Sequence, residues 1–141
     1  MPKIDIEMKR KGCSIIFLNH RNEVLLLLRD NKPDIPFPNM WDLPGGHVEN
    51  GETPEQCIIR EMREELEIDI GEFFLFSIEE FPERIEYTFW IKVDSDLSKI
   101  KPTEGQYLRW FTEQEIKNTE LALGFNLILN NFFRESPGKE S

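Results

Sequence analysis

Residues 46–68 read GHVENGETPEQCIIREMREELEI, a glycine-led turn that runs into an acidic helix. At about 100° per residue, Glu61, Glu64 and Glu65 fall on one arc of that helix. Ile58, Ile59, Met62 and Leu66 fall on the neighbouring arc, so an apolar stripe for a core runs beside a carboxylate stripe. Glu61 and Glu65 are four apart, and like charges at that spacing cost roughly 0.2–0.5 kcal/mol. Arg60 stands four residues before Glu64 and relieves part of the repulsion. A solvated acidic face is one reading of the stripe. The other is a cation site, because hard divalent ions want several carboxylate oxygens converging on one point. The spacing permits both. Thr53 is a good N-cap and Pro54 suits a first helical turn, which predicts a helix over 54–66.

The stretch resembles the signature of the Nudix hydrolases, the MutT-related pyrophosphohydrolases. The matching positions are Gly46, Glu52, Arg60-Glu61, Met62, Glu64-Glu65, Leu66 and Ile68, and WDLPGG at 41–46 is also typical of the family. One position departs: Glu67 stands where the family has a glycine that normally helps to end the helix. Gly71, four residues on, is expected to take over that role. The resemblance is specific over 41–68. It implies an α/β fold, a Nudix-type α/β/α sandwich around a mixed β-sheet.

The resemblance also implies an activity: hydrolysis of a P–O–P bond in a nucleoside diphosphate linked to a group X, dependent on Mg²⁺ with Mn²⁺ as the alternative ion. Gly46, through its carbonyl, and Glu61, Glu64 and Glu65 are the implied metal ligands. Glu52 supports the loop. Arg60 orients the glutamates, and Glu64 or Glu104 takes the proton from water. Glu104 lies just before the last strand, where a ligand or base and an exposed loop charge are both open readings. The expected substrate is a nucleoside triphosphate, canonical or oxidised, cleaved to monophosphate and pyrophosphate. The small size and the compact loop between Arg29 and Trp41 motivate that choice. A nucleotide sugar, a dinucleotide and a non-catalytic nucleotide-binding module are the alternatives.

Three further side chains are candidate substrate contacts. Arg29 closes a strand beside the signature and reads either as a phosphate contact or as a strand-end charge. His47 follows the glycine turn and reads as a phosphate contact or as a structural histidine. Phe37, in a loop stiffened by Pro33, Pro36 and Pro38, either packs under the loop or lines a nucleobase pocket. Trp41 reads as core or as a ligand platform.

The rest of the chain frames this site. Its 141 residues predict one domain over 1–134 and a disordered tail over 135–141. A net charge of −10 argues against binding a nucleic-acid polymer or an anionic membrane, though bound cations reverse the local field for a phosphate ligand. No apolar run approaches a membrane span. Cys13 and Cys57 read as separate small core residues in a reduced, cytoplasmic setting. Strands are predicted over 13–18, 24–29, 73–80, 85–93 and 106–111. Glu86, Thr88 and Lys92 alternate with the apolar Tyr87, Phe89 and Ile91 in the fourth of these, and Trp90 breaks the polar side, reading either as a helix contact or as a side chain facing the substrate cleft. Thr112 and Glu115 form a capping box for a short helix, and an amphipathic helix follows over 121–133. Residues 1–8 are an extension or an edge strand, which leaves a homodimer open.

Overall fold

Strand β1 (Arg10–Leu18) is buried from Gly12 to its end, which places it inside the molecule with an apolar layer on each side. In the computed structural model, which describes residues 9–137, side chains alternate along it. Cys13, Ile15 and Phe17 join one core cluster with Cys57, Ile58, Met62 and Leu66 of helix α1 (Pro54–Leu66). Ile16 and Leu18 join the other with Phe125, Ile128, Leu129 and Phe132 of helix α3 (Phe125–Glu135). Strand β2 (Val24–Leu28) divides in the same way, with Leu25 and Leu27 toward α1 and Val24 and Leu26 toward α3. Period-two side-chain alternation on doubly covered strands thus yields three layers, α1 against the sheet against α3.

The sheet has seven strands and is mixed. The others are β3 (Trp41–Asp42), β4 (Gly45–His47), β5 (Phe74–Glu80), β6 (Arg84–Lys92) and β7 (Leu108–Phe111), and the short helix α2 (Glu113–Lys117) follows β7. The path runs β3-β2-β1-β6-β5, with β4 on β1 and β7 on β2. β1 and β6 are parallel in unbroken register from Arg10↔Arg84 to Leu18↔Lys92. On its other side β1 pairs antiparallel with β4, with Cys13 opposite Gly46 and Ser14 opposite Gly45. The glycine turn is therefore stitched to the most buried strand of the fold.

Several expectations need correction. Glu67 itself takes the left-handed cap position, with φ 56° and ψ 38°, so Gly71 does not replace the missing glycine. Cys13 and Cys57 are joined as a disulfide that ties β1 to α1, rather than lying as separate thiols. They pack there because both point into the same core cluster. The polar side of β6 is not solvated: Glu86 and Thr88 are buried, paired with Arg84 and Ser14. Of the two readings open for Trp90, the structure shows the helix contact: it packs between Phe74 and Phe132 of α3. The last helix begins at Phe125 after a 3-10 turn at Ala122–Gly124, because Leu123 and Gly124 take positive φ. It continues through Glu135, which belongs to the helix and not to the tail expected from 135 onward. Residues 138–141, and the predicted extension over 1–8, lie outside the described residues.

Candidate active site

Helix α1 is capped as its sequence dictates. Thr53 accepts from the Gln56 amide, and the Gln56 side chain accepts in return from the Thr53 amide. Both caps satisfy N–H groups that the helix start would otherwise leave open. Ile58, Met62 and Leu66 of the apolar stripe are buried and Ile59 is half-buried, which turns the acidic stripe toward the edge of the sheet where β4 lies.

Arg60 is the hub of that stripe. Its Nε donates to Glu52 Oε2 at 2.7 Å and its Nη2 to Glu52 Oε1 at 3.0 Å, a two-pronged grip. Its Nη1 donates to both Glu61 Oε1 at 2.8 Å and Glu64 Oε2 at 3.1 Å, so one nitrogen bridges two carboxylates. Nη2 also reaches the His47 carbonyl at 3.1 Å. Three carboxylates and a carbonyl thus share one guanidinium, which holds the turn against the helix. Gly46 makes this approach possible, because a Cβ there would collide with the Glu61 carboxyl group.

Glu65 is in a different position. No arginine partners it among the described residues, its Oε2 is buried without a hydrogen bond, and a bond from the Gly45 amide is its stabilising contact. Burial, then the charges of Glu61, Asp42 and Glu104, push its carboxyl up to about 8. Glu61 is also raised, chiefly by burial, against the pull of Arg60. A buried carboxylate oxygen without a donor, among other carboxylates, is the arrangement that a divalent cation would satisfy. Among the described residues no three His, Cys, Asp or Glu side chains already converge as a cage. Glu61 and Glu64 are drawn toward Arg60 instead.

Glu61 and Glu65 line a cleft of about 460 Å³, with Arg29, Ile35, Asp42, His47 and Glu104 on its walls, whereas Glu64 lies with Glu52 and Arg60 on the outer face of the helix and not on this cleft. Glu104 is brought to the cleft by its loop. Thr103 donates its amide to the Glu65 carbonyl and its hydroxyl to the Glu64 carbonyl, so the loop docks on the last turn of α1. Arg29 reaches the cleft but is engaged, with Nη1 on Asp42 Oδ2 at 2.9 Å and Nε and Nη2 on the Pro36 carbonyl. His47 is turned toward the cleft. Burial, then Arg10, Arg84 and Arg29, lower its pKa, so it is neutral at pH 7 and would meet an anion as an N–H donor, not as a cation.

Phe37 is not among the cleft residues. It is 42% exposed on the proline loop, and Ile35 takes the apolar place on the wall. Trp41 belongs to the core, edge-on to Phe111 at 4.9 Å between ring centres. Sequence reasoning missed Asp42. It is buried, its Oδ1 lacks a partner among the described residues, and burial raises it to about 7 despite Arg29. Its place in WDLPGG, next to the glycine turn, was the available signal.

With this geometry in hand, the likeness to known proteins is specific. Residues 8–132 match the NUDIX domain model. The chain is 42% identical over 109 residues to the 8-oxo-dGTP diphosphatase of Escherichia coli (strain K12), covering 74% of this chain and 82% of that one. It is 35% identical over 74 residues to the RNA pyrophosphohydrolase of a Nitratiruptor species, covering 52% of this chain and 43% of that one. The solved MutT protein from Methanosarcina mazei Go1 superposes with a TM-score of 0.73 at 26% identity, over 92% of this chain and 96% of that one.

Proposed function

The chain belongs to the Nudix family and is a pyrophosphohydrolase of that family, and we propose that it hydrolyses a nucleoside triphosphate to the monophosphate and pyrophosphate. The observation that carries this reading is the buried, donor-free oxygen of Glu65 beside Glu61 in a cleft edged by Arg29 and His47. The likeness to an 8-oxo-dGTP diphosphatase makes the oxidised guanine nucleotide the first substrate to test.

Glu61, Glu64 and Glu65, with the Gly46 carbonyl, are the groups that would hold Mg²⁺, which supplies charge neutralisation at the phosphates and a more acidic water. The chain's own residues do the rest. Arg60 fixes Glu61 and Glu64 against the glycine turn. His47 offers a neutral N–H to a phosphate oxygen. Glu64 is exposed, held by Arg60 outside the cleft walls, and reaches the water only by leaving Arg60, while Glu104 lines the cleft from its loop. Either takes the proton by general-base catalysis, which is worth about 10²–10⁴-fold.

The test is product analysis with Mg²⁺ and a panel of canonical and oxidised nucleoside triphosphates, nucleotide sugars and dinucleoside polyphosphates. Cleavage to monophosphate and pyrophosphate, lost in EDTA and reduced about 10²–10⁴-fold in Glu64→Gln, is the expected result. Retained turnover in Glu64→Gln would remove that residue and leave Glu104 as base. Release of a different product pair would replace the triphosphate by another X group.

A further inference from the structure

A closed circuit of contacts joins the glycine turn to the helix carboxylates from behind. Cys13 of β1 stands opposite Gly46 in the pairing of β1 with β4. Gly46 packs so closely on Glu61 that a Cβ would collide with its carboxyl group. Glu61 stands one helical turn after Cys57, on the same side of α1. Cys57 closes the circuit through its disulfide to Cys13. The disulfide is the one covalent link between the strand and the helix in that circuit.

The bond sits at the base of the site. Its two Cα atoms are 6.5 Å apart, and both residues are buried, 2% and 0% exposed. A Cβ on Gly45 would collide with the Cys13 carbonyl, so the turn lies directly on the strand that carries the bond. On the helix side, Arg60 Nη2 is 3.9 Å from Cys57 Sγ, and the same nitrogen donates to the His47 carbonyl and to Glu52. A change at the two sulfurs is therefore felt on one side by the turn and on the other by the guanidinium that holds the carboxylates. The core does not demand the bond, because buried thiols fill such a layer as small apolar groups. Reduced, the pair keeps its place but no longer fixes the helix to the strand.

On the cation reading given above, we propose that the Cys13–Cys57 bond is a positioning element of the active site, switched by thiol–disulfide exchange. Bonded, it holds α1 against the glycine turn in the arrangement that favours a divalent cation. Reduced, it lets the two part. The reductant is a dithiol. Its thiolate attacks Cys13 Sγ, and Cys57 leaves as a thiolate beside Arg60 and takes up a proton. The second thiol of the reductant then closes on the mixed disulfide and releases Cys13 as a thiol. The dithiol ends as a disulfide, having given the chain two electrons and two protons. Both sulfurs are buried, so the exchange waits on local opening of the seam between α1 and β1. Exchange with a small-molecule disulfide restores the tie.

The experiment compares the full chain oxidised with glutathione disulfide and the full chain reduced with dithiothreitol, each reagent being removed before metal is added. Thiols counted after unfolding establish the state of each sample. Binding of Mn²⁺ is then followed by electron paramagnetic resonance, which needs neither substrate nor turnover. The oxidised form should bind Mn²⁺ about tenfold more tightly than the reduced form, the lower end of what a metal site loses with its outer supports. Cys57→Ala should bind like the reduced form and ignore dithiothreitol, and the reduced parent keeps the test open if that variant does not fold. A merely structural bond would lower the melting temperature on reduction and leave the Mn²⁺ affinity of the folded protein unchanged. Equal affinity in the two forms, or two free thiols remaining after oxidation, would overturn the proposal and leave the cation site standing. No Mn²⁺ binding in either form would overturn both.

Discussion

Arg60 and Arg84 each gather acidic side chains, in opposite surroundings. Arg60 lies on the helix face and serves Glu52, Glu61 and Glu64, with Glu49 at 3.6 Å. One cation there is divided among several anions, and the cluster keeps an excess of negative charge. Arg84 is sealed within the fold on buried Glu86, with another nitrogen on the Leu123 carbonyl at 2.7 Å and its guanidinium 4.3 Å from the centre of the Phe81 ring. Exposed Glu83 touches it only from outside, at 3.3 Å. Charge is balanced in the interior there, with both side chains buried. The difference teaches what each place can receive. An under-neutralised, half-exposed cluster calls for another cation. A buried pair whose charges already cancel calls for no further charge.

The largest expected effect separates these two hubs. Arg84→Ala strands the Glu86 charge in the interior and should cost about 3–5 kcal/mol in urea unfolding. Replacing both partners, Arg84→Met with Glu86→Leu, should recover most of that loss. Arg60→Ala should show the reverse profile: a smaller stability change, with kcat lowered about 10²-fold as the glutamates lose their alignment. If Arg60→Ala proves the more destabilising of the two, the contrast between an organising hub and a structural one fails.

The next effect is a pH dependence of the metal-free protein. Glu65 is raised to about 8 and Asp42 to about 7, from ordinary values of 4.5 and 3.8. Between those limits the folded chain retains protons that the unfolded chain has released. Stability therefore falls as pH rises from about 4 to about 8 and levels off above. Thermal melting in EDTA should show this decline. Added Mg²⁺ should offset it most at the upper end, where the carboxylates are ionised. A melting temperature that rises steadily from about pH 5 to 8 in EDTA would mean that Glu65 and Asp42 are not protonated in the fold.

The smallest effect concerns the other end of the helix. Glu67 holds a left-handed conformation that costs a side-chain-bearing residue about 1–2 kcal/mol. Glu67→Gly should raise stability by about 1 kcal/mol in denaturant titration and leave kcat unchanged.

What is legible in the sequence follows from local rules. The span of α1, its Thr53 cap and the Thr112–Glu115 box rest on contacts within a few residues, and each stands in the structure. The Arg60–Glu64 pair is readable for the same reason. Glu67 escapes such a reading because its cap geometry is imposed by the exit of the chain, not by its own preference. Glu86 escapes it because a period-two pattern tells which side of a strand is polar, not whether that side is covered. Here the turn at Leu123 and the start of α3 cover it. The Cys13–Cys57 bond and the company of Asp42 are long-range as well. Glu104 stands undecided between ligand and loop charge in the sequence, and only the fold puts it on the cleft.

That placement has a consequence beyond the residue itself. The Thr103 amide and hydroxyl fasten to the carbonyls of Glu65 and Glu64, neighbours on the acidic stripe of α1. The loop takes its datum from the helix, so a tilt of α1 carries Glu104 with it and the two halves of the acidic cleft move as one jaw. The preceding segment from Asp94 to Pro102 is anchored too, with Trp110 Nε1 donating to the Asp96 carboxylate at 2.9 Å and Leu97 and Ile100 packed on the core cluster of α1, so the loop that carries Glu104 starts from a fixed base.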